Sequence, residues 1–298
     1  MLRVHHFNWV RLRLFVDPSA SADKLPNDLS YTIALARRAR QLDFRLLFDL
    51  HYSDTWADPG KQFVPSAWKG LKHKQLVQQV FTYTHDTIAA FAQSGVLPDM
   101  VQVGNEITNG MLWPDGKLLD CWENLADLLK AGIDGVDAGR GSLPKPRIMI
   151  HIDRSGDYEA AVWFFDNLVA RHVPCDVIGL SYYPMWHGDT HKLRGNLHDL
   201  ALRYRHPIIV VETAYNWTPG EFIGKKAEFP ENPEGQRAFL AAVDAAVHVV
   251  PEGLGQGVFW WEPAVPGGPI AGRALFDDKH NALPALGVFD AEAKQRKP

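Results

Sequence analysis

The sequence predicts an α/β fold of the (β/α)8 or TIM barrel class, and three observations favour it. Strand-like apolar runs alternate with helical patterns along the whole chain, which is typical of repeated βα units. A length of 298 residues suits one such barrel, which usually takes about 250 residues. No linker, low-complexity tract or internal repeat interrupts the series, so residues 1–298 are predicted to form a single domain.

Seven strands and six intervening helices are predicted. The strands are Trp9–Val16, Arg45–His51, Met100–Glu106, Arg147–Asp153, Asp176–Ser181, Ile208–Glu212 and Gly257–Glu262. Their apolar, β-branched composition is typical of parallel strands that are covered on both faces. The helices are Leu29–Leu42, Leu71–Ala92, Leu119–Val136, Tyr158–Val169, Leu197–Tyr204 and Gly235–Val249. Apolar residues at helical spacing and Asp or Asn in front of several of these segments support the helix assignments.

Four segments that follow strands are longer than an ordinary βα turn of about two to six residues. They are Tyr52–Gly70, Ile107–Lys117, Tyr182–Gly195 and Thr213–Glu234. The carboxyl ends of barrel strands meet at one rim. Long loops at that rim indicate a binding or catalytic site.

Two glutamates at strand ends give the strongest functional signal. Glu106 closes the strand that begins at Met100, and Glu212 closes the apolar run that begins at Ile208. Ionised carboxylates are rarely buried without a role, and strand ends of one parallel barrel converge. The pair predicts two-carboxylate glycoside hydrolysis. Asn105 lies next to Glu106, where its amide suits a hydrogen bond to a sugar 2-hydroxyl if the strand end is bent.

The first strand offers a cation for the carboxylate of Glu212. Arg11 and Arg13 share one face of this strand, because side chains alternate along it. Arg13 lies nearer the carboxyl end of the strand, so its guanidinium is the candidate partner of the Glu212 carboxylate. The alternative is that both arginines belong to a purely structural layer of ion pairs.

Seven of the ten tryptophans lie in post-strand loops or at a strand end. They are Trp56, Trp68, Trp113, Trp186, Trp217, Trp260 and Trp261. Large amphipathic rings at one rim provide flat surfaces for the faces of sugars. The alternative for any one of them is that the ring plugs its own loop onto the barrel.

Histidine and aspartate lie together at two further strand ends. His51 follows Asp49, and His151 precedes Asp153. A metal-dependent barrel hydrolase, a rival that predicts loss of activity with a chelator, would use a His-x-His pair with further ligands. The sequence contains no such pair. These residues are therefore predicted to bond substrate hydroxyls or the acid/base, and neither a metal nor another cofactor is predicted.

The composition argues against several classes of partner. A content of 46% hydrophobic and 22% charged residues is that of an ordinary globular protein. A net charge of −4 gives no basic footprint for nucleic acid. No apolar stretch approaches a membrane span, and the first residues lack the apolar core of a signal peptide. The two cysteines, Cys121 and Cys175, are predicted to be inert packing residues.

Six stretches of sequence form a distinctive set. They are Arg11-Leu-Arg-Leu-Phe-Val-Asp-Pro18, Asp49-Leu-His-Tyr-Ser-Asp-Thr-Trp-Ala-Asp-Pro59, Gln102-Val-Gly-Asn-Glu-Ile-Thr-Asn-Gly-Met-Leu-Trp-Pro-Asp-Gly116, Ser181-Tyr-Tyr-Pro184, Val211-Glu-Thr-Ala-Tyr215 and Phe259-Trp-Trp-Glu-Pro263. Together they resemble the endo-β-1,4-galactanases, glycoside hydrolase family 53 of clan A, over nearly the whole chain.

The resemblance implies a (β/α)8 catalytic domain that hydrolyses internal β-1,4-galactosyl linkages of galactan or type I arabinogalactan in pectin, with retention of configuration. By position, Glu106 matches the acid/base and Glu212 the nucleophile. The implied substrate-binding residues are Arg13, His51, Asn105, Tyr182 and Trp261, followed along the cleft by Trp56, Trp113 and Asp153. Trp261 would form the floor of the subsite at the cleavage point. The resemblance also implies a polysaccharide-binding monomer in the extracellular or periplasmic space.

The start of the chain departs from the family pattern. Family members begin with a strand of Gly-Ala-Asp type and a helix ahead of the arginine-bearing strand, whereas this chain opens at the tail of that helix. The eighth strand is therefore expected to lie upstream, to come from a partner, or to be missing from an open barrel. In the last case the protein would be a galactan-binding relative with impaired turnover.

Overall fold

A computed structural model describes residues 1–23, 25–118, 122–222, 226–265 and 267–290. The residues group into two compact units by their contacts. The Glu106 unit comprises residues 8–153 and 162–178. The Glu212 unit comprises residues 1–7, 154–161 and the described residues from 179 onward.

The described strands carry the predicted alternation with helices. In chain order they are β1 (Trp9–Leu14), β2 (Arg45–Leu50), β3 (Met100–Val103), β4 (Gly110–Met111), β5 (Gly116–Lys117), β6 (Arg147–Ile152), β7 (Val177–Tyr182), β8 (Ile208–Thr213) and β9 (Gly255–Trp260). The helices are α1 (Leu29–Gln41), α2 (His73–Gln93), α3 (Glu123–Gly139), α4 (Tyr158–Ala170), α5 (Pro184–His187), α6 (Thr190–Tyr204) and α7 (Pro233–His248).

Parallel pairing sets the register of the strands. In the Glu106 unit the order is β1, β2, β3 and β6, and Arg13 lies opposite Asp49, which in turn lies opposite Gln102. Strand β7 begins in this unit and ends in the Glu212 unit, where β8 pairs in parallel with β9. Every residue of β7 and β8 is buried, as expected for strands that are covered on both faces.

Close packing of α2 against α3 depends on small residues in α3. A Cβ at Gly135 would lie 2.8 Å from the carbonyl oxygen of Phe81, and one at Gly139 would lie 2.5 Å from that of His85. Both distances are shorter than real contacts, and both involve backbone. These glycines let the two helices approach until their backbones touch.

All seven predicted parallel strands occur among the described residues, with ends that shift by at most three residues. The region after β7 was predicted wrongly as a loop through Gly195. Helix α5 begins at Pro184, and α6 already begins at Thr190, where the Asp189 side chain accepts a hydrogen bond from the Lys192 N–H at 2.9 Å. The first half of α6 is mostly polar and lacks the apolar period that marks a helix in sequence.

Other differences concern the segments beside the third strand and third helix. The β4–β5 hairpin, antiparallel with Gly110 opposite Lys117, was not predicted. The third helix was predicted to start at Leu119, which lies outside the described residues, as does Cys121. Helix α3 begins at Glu123. Cys175 is a free thiol whose pKa is raised to about 12 by burial, in agreement with an inert packing role.

Candidate active site

The strand that leads to Glu106 bends sharply at its end. Gly104 has φ +84° and Glu106 has φ +47°, both in the left-handed region. A Cβ at Gly104 would lie 2.6 Å from the Ile107 side chain, so this position also requires glycine for space. The bend ends the strict alternation of the strand. As a result Asn105 is buried, while Glu106 is only half-buried.

A buried polar network lies beneath this bend. The Arg11 guanidinium donates to Asn105 Oδ1 at 2.7 Å and to Gln102 Oε1 at 3.1 Å. It also lies 2.9 Å from the carboxylate of Asp49, which has no exposed surface. The Gln102 amide donates to Asp49 Oδ1 at 2.7 Å. Arg11 thus belongs to the ion-pair layer that the sequence left as an alternative for the two arginines.

Electrostatics fix the charge states in this network. Burial opposes ionisation of Asp49, but Arg11 and His51 outweigh it and hold the pKa of Asp49 at about 2. Burial and the charge of Arg11 lower the pKa of His151 well below its usual value. His151 is therefore neutral, and its Nδ1 lies 3.0 Å from Asn105 Oδ1, 3.1 Å from the Gln102 amide nitrogen and 3.4 Å from the Glu106 backbone nitrogen.

His51 is placed as a support for the loop that follows β2. Its side chain is 2% exposed, and Nε2 lies 3.0 Å from Asp49 Oδ2. The other ring nitrogen accepts from the Ala57 N–H at 3.2 Å. Both nitrogens are bonded inside the protein, so His51 positions the Trp56 loop, and its predicted substrate contact stays a prediction.

Asn105 retains a hydrogen for a substrate. Its Nδ2 donates to the Ala57 carbonyl at 2.9 Å, and its Oδ1 accepts from Arg11 and Gln102. Within the described residues these bonds use one of the two amide hydrogens. The second hydrogen is consistent with the predicted bond to a sugar hydroxyl.

Gln62 is a site residue that sequence reasoning missed. Its amide donates to the carbonyl oxygens of Asn105 at 2.8 Å and of Glu106 at 3.4 Å. The backbone carbonyl of Gln62 accepts a hydrogen bond from the backbone N–H of Trp113 at 2.7 Å. Gln62 thereby ties two loops to the backbone of the predicted acid/base. No feature of the sequence distinguishes this glutamine from a surface residue.

Aromatic rings flank these loops. The Arg13 guanidinium lies 4.3 Å from the centroid of Trp56, whose edge meets Phe15 and His51. Arg13 therefore has an aromatic partner in its own unit, and its predicted contact with Glu212 stays a prediction. The Trp113 indole donates to the Asn109 carbonyl at 3.1 Å.

A cavity of about 810 Å³ lies within the Glu106 unit beside Trp113. Its walls include Phe63, Trp68 and Leu76, together with Asp54.

Asp153, predicted along the cleft, accepts a hydrogen bond from the Thr108 hydroxyl. Trp68 is buried at 4% exposure, so for this ring the plug alternative holds.

In the Glu212 unit, Glu212 lies in β8 and is 8% exposed. The Tyr183 hydroxyl donates to Glu212 Oε1 at 2.8 Å. Tyr182 instead has no exposed surface, donates to the Gly188 carbonyl at 2.9 Å and stacks on Phe239. Consecutive residues at a strand end point to opposite faces. The contact with Glu212 is therefore made by Tyr183, and the predicted substrate contact of Tyr182 stays a prediction.

The last described strand ends in two tryptophans with different surroundings. Trp260 is 8% exposed, and its indole donates to the Arg273 carbonyl at 2.8 Å. Trp261 is half-buried, and the Arg273 guanidinium lies 5.5 Å from its ring centroid. Burial lowers the pKa of Arg273, and the charges of Tyr183 and Glu212 act in the opposite direction. The predicted role of Trp261 as a subsite floor stays a prediction, and Arg273 is a partly buried cation that the sequence did not reveal.

Within the described residues, no three or more His, Cys, Asp or Glu side chains are grouped so that they could hold a metal ion. No helix in this part of the chain is both long enough and apolar enough to cross a membrane.

A family comparison decides the class of this protein. The model of glycosyl hydrolase family 53 matches residues 1–289. The chain belongs to glycosyl hydrolase family 53. The match spans both strand-end glutamates and all seven parallel strands.

Relatives of this family 53 chain cover most of its length. An uncharacterised protein in the bgaB 5' region of Niallia circulans is 43% identical over 89% of this chain and 75% of its own. The arabinogalactan endo-β-1,4-galactanase of Humicola insolens is 34% identical over 95% of this chain and 87% of its own. The family 53 catalytic domain of Ignisphaera aggregans superposes with a TM-score of 0.88 at 35% identity, over 97% of this chain and 86% of that one. This likeness confirms the predicted α/β barrel class.

Proposed function

We propose that this family 53 hydrolase is a retaining endo-β-1,4-galactanase that cleaves internal linkages of galactan and of type I arabinogalactan in pectin. The observation that carries the proposal is the family match over residues 1–289, which includes both glutamates. The activity in the name of the Humicola insolens relative supports the choice of substrate.

The proposed reaction is a double displacement. Glu212 attacks the anomeric carbon while Glu106 gives its proton to the leaving glycosidic oxygen, and a glycosyl ester forms on Glu212. Glu106 then takes a proton from water, which attacks the same carbon and releases Glu212. The net result is one hydrolysed bond with retention at the anomeric centre.

Contacts within each unit suit these two roles. Glu212 is 8% exposed and accepts a hydrogen bond from the Tyr183 hydroxyl, which holds one of its two carboxylate oxygens in place. Glu106 is half-buried on a bent strand end whose backbone is held by Gln62 and His151. A group that first donates and then accepts a proton must reach solvent, and the exposure of Glu106 allows this.

We also propose that residues 1–298 act as a single catalytic domain, as a monomer, in the extracellular or periplasmic space. A polymeric substrate does not enter cells, so the enzyme must meet it outside the cytoplasm. The substrate is neutral, which agrees with the small net charge of −4.

The test is incubation of the purified chain with linear β-1,4-galactan, with wild type, E212Q and E106Q side by side. Wild type is expected to release a ladder of galacto-oligosaccharides, and E212Q is expected to lose cleavage because an amide cannot form the ester. E252Q is the matched control and should retain activity, because the Glu252 carboxylate pairs with Arg205 at the surface instead. A wild type that binds galactan without releasing reducing ends would overturn the proposal, and a fully active E212Q would overturn the nucleophile assignment.

A further inference from the structure

Arg273 is a partly buried cation that the proposed mechanism does not use. Its side chain is 15% exposed. The guanidinium lies 5.5 Å from the ring centroid of Trp261 and 5.7 Å from that of Tyr183. Both distances fall within the range of cation–π contact. Since the Tyr183 hydroxyl donates to Glu212, Arg273 packs on the residue that holds the nucleophile.

The backbone of Arg273 is anchored at the end of β9. Its carbonyl accepts from the Trp260 indole at 2.8 Å, and its N–H donates to the Ile270 carbonyl at 3.0 Å. A guanidinium on a fixed backbone, packed on two rings, loses little further freedom when it interacts with a charge. The position of this cation is therefore preorganised.

A second carboxylate shares Arg273. The guanidinium pairs with Glu221, which lies in the loop after β8 and is 14% exposed. Glu221 is held in turn, because its N–H donates to the Glu231 carboxylate at 2.8 Å. The charge of Glu212 also acts on Arg273 and favours its protonated form. This partly buried cation thus pairs with a carboxylate in the loop and also feels the charge of a carboxylate in β8.

We propose that Arg273 is a positioning residue that holds Tyr183 against Glu212 and keeps Glu212 in its ionised, nucleophilic form, with Glu221 setting how much of the cationic charge reaches Glu212. The proposal rests on the proposed nucleophile role of Glu212. It gives the loop after β8 an electrostatic role in catalysis besides any contact with substrate.

The test compares pH profiles of kcat/KM for an aryl β-galactobioside in wild type, R273M, R273K and E221Q. In R273M the acidic limb should move to higher pH by about one unit, because an opposite charge that acts on Glu212 has been removed. R273K restores the charge and should bring the limb back toward wild type. E221Q should move the limb to lower pH, because Arg273 then acts on Glu212 alone, and an unmoved limb would contradict the role of Glu221.

R205M is the matched control. Arg205 pairs with Glu252 at 2.7 Å in the same unit, but both side chains are exposed. This variant should leave the acidic limb unchanged. An acidic limb in folded R273M that coincides with that of wild type would overturn the proposal, as would an R273K profile that coincides with the R273M profile.

A measurement without turnover separates this proposal from the proposed function. The ¹³C signal of the Glu212 carboxyl, assigned by its loss in E212Q, can be titrated in wild type and R273M. A titration that moves to higher pH in R273M supports the role of Arg273 even if galactan is not cleaved. An unchanged titration contradicts it even in an active galactanase.

Discussion

At the residue scale, Asp49 is the buried carboxylate on which the polar network under Glu106 depends. It has no exposed surface and balances the charge of Arg11, which is 13% exposed. Removing one partner of a buried ion pair leaves the other charge without compensation. The same carboxylate fixes His51, and through it the loop that carries Trp56.

We therefore expect D49N to lower the free energy of unfolding by about 3–5 kcal/mol. D137N is the control, since Asp137 pairs with Arg140 at the surface and should leave the unfolding midpoint nearly unchanged. Chemical denaturation at neutral pH gives the comparison. Equal midpoints for D49N and wild type would contradict the role of Asp49.

The pH dependence of this difference follows from the pKa of Asp49, which is lowered to about 2. A carboxyl group whose pKa is lowered on folding stabilises the fold at any pH above its pKa in the unfolded chain, about 4. This stabilisation is lost as the pH falls toward 2. The difference in the free energy of unfolding between wild type and D49N should therefore narrow as the pH falls from about 4 to about 2. If this difference stayed constant, the ionised form of Asp49 would not be what stabilises the fold.

Side-chain partners were harder to predict than positions. Strand alternation correctly put Arg11 and Arg13 on one face, but it could not show that Arg11 pairs with Asp49 while Arg13 packs on Trp56. The sequence also could not show that Tyr183 contacts Glu212, because a shift of one residue at a strand end reverses the face. Gln62 lies in a loop and Arg273 in a three-residue 3-10 helix, Ala271–Arg273, and neither segment has a periodicity that could indicate a role.

At the element scale, the α2–α3 contact shows how glycine can serve packing in a helix. Alanine normally stabilises a helix relative to glycine by up to about 1 kcal/mol. At Gly135 the added methyl group would lie 2.8 Å from the carbonyl oxygen of Phe81. At Gly195, an exposed position in α6, no atom lies within 4 Å of the added group.

We expect opposite effects from the same substitution at these two sites. G135A should destabilise the protein by about 1–3 kcal/mol through overpacking, whereas G195A should stabilise it by up to about 1 kcal/mol. Thermal unfolding of both variants gives the answer. If G135A raised the melting temperature as much as G195A does, the close helix contact would be refuted.

Elements with a clear hydrophobic period were predictable, and those without one were not. The strands and the apolar helices matched their predicted ranges within a few residues. The two-residue strands of the β4–β5 hairpin are too short for a periodic signal, and the polar start of α6 looked like a loop. Its N-cap, Asp189, was the cue available in the sequence.

At the scale of the whole molecule, the alternation of strands and helices was sufficient to predict the fold class, and the Ignisphaera aggregans structure confirms it. The division of the chain into two compact units could not be predicted, because it depends on long-range contacts and not on local pattern. Hydrolysis with retention of configuration requires a particular distance between the two catalytic carboxyl groups. Two carboxyl groups must lie about 5–5.5 Å apart, against about 6.5–9.5 Å for inversion.

The stereochemistry of the product is the most direct test of the central claim that galactan is cleaved by double displacement on Glu212. Proton NMR during the first minutes of galactan hydrolysis shows which anomer of the new reducing end forms first, before mutarotation mixes the two. Retention predicts that the β-anomer signal rises first and the α-anomer follows. An α-anomer that appears first would contradict the account, and so would a sample in which no reducing end forms.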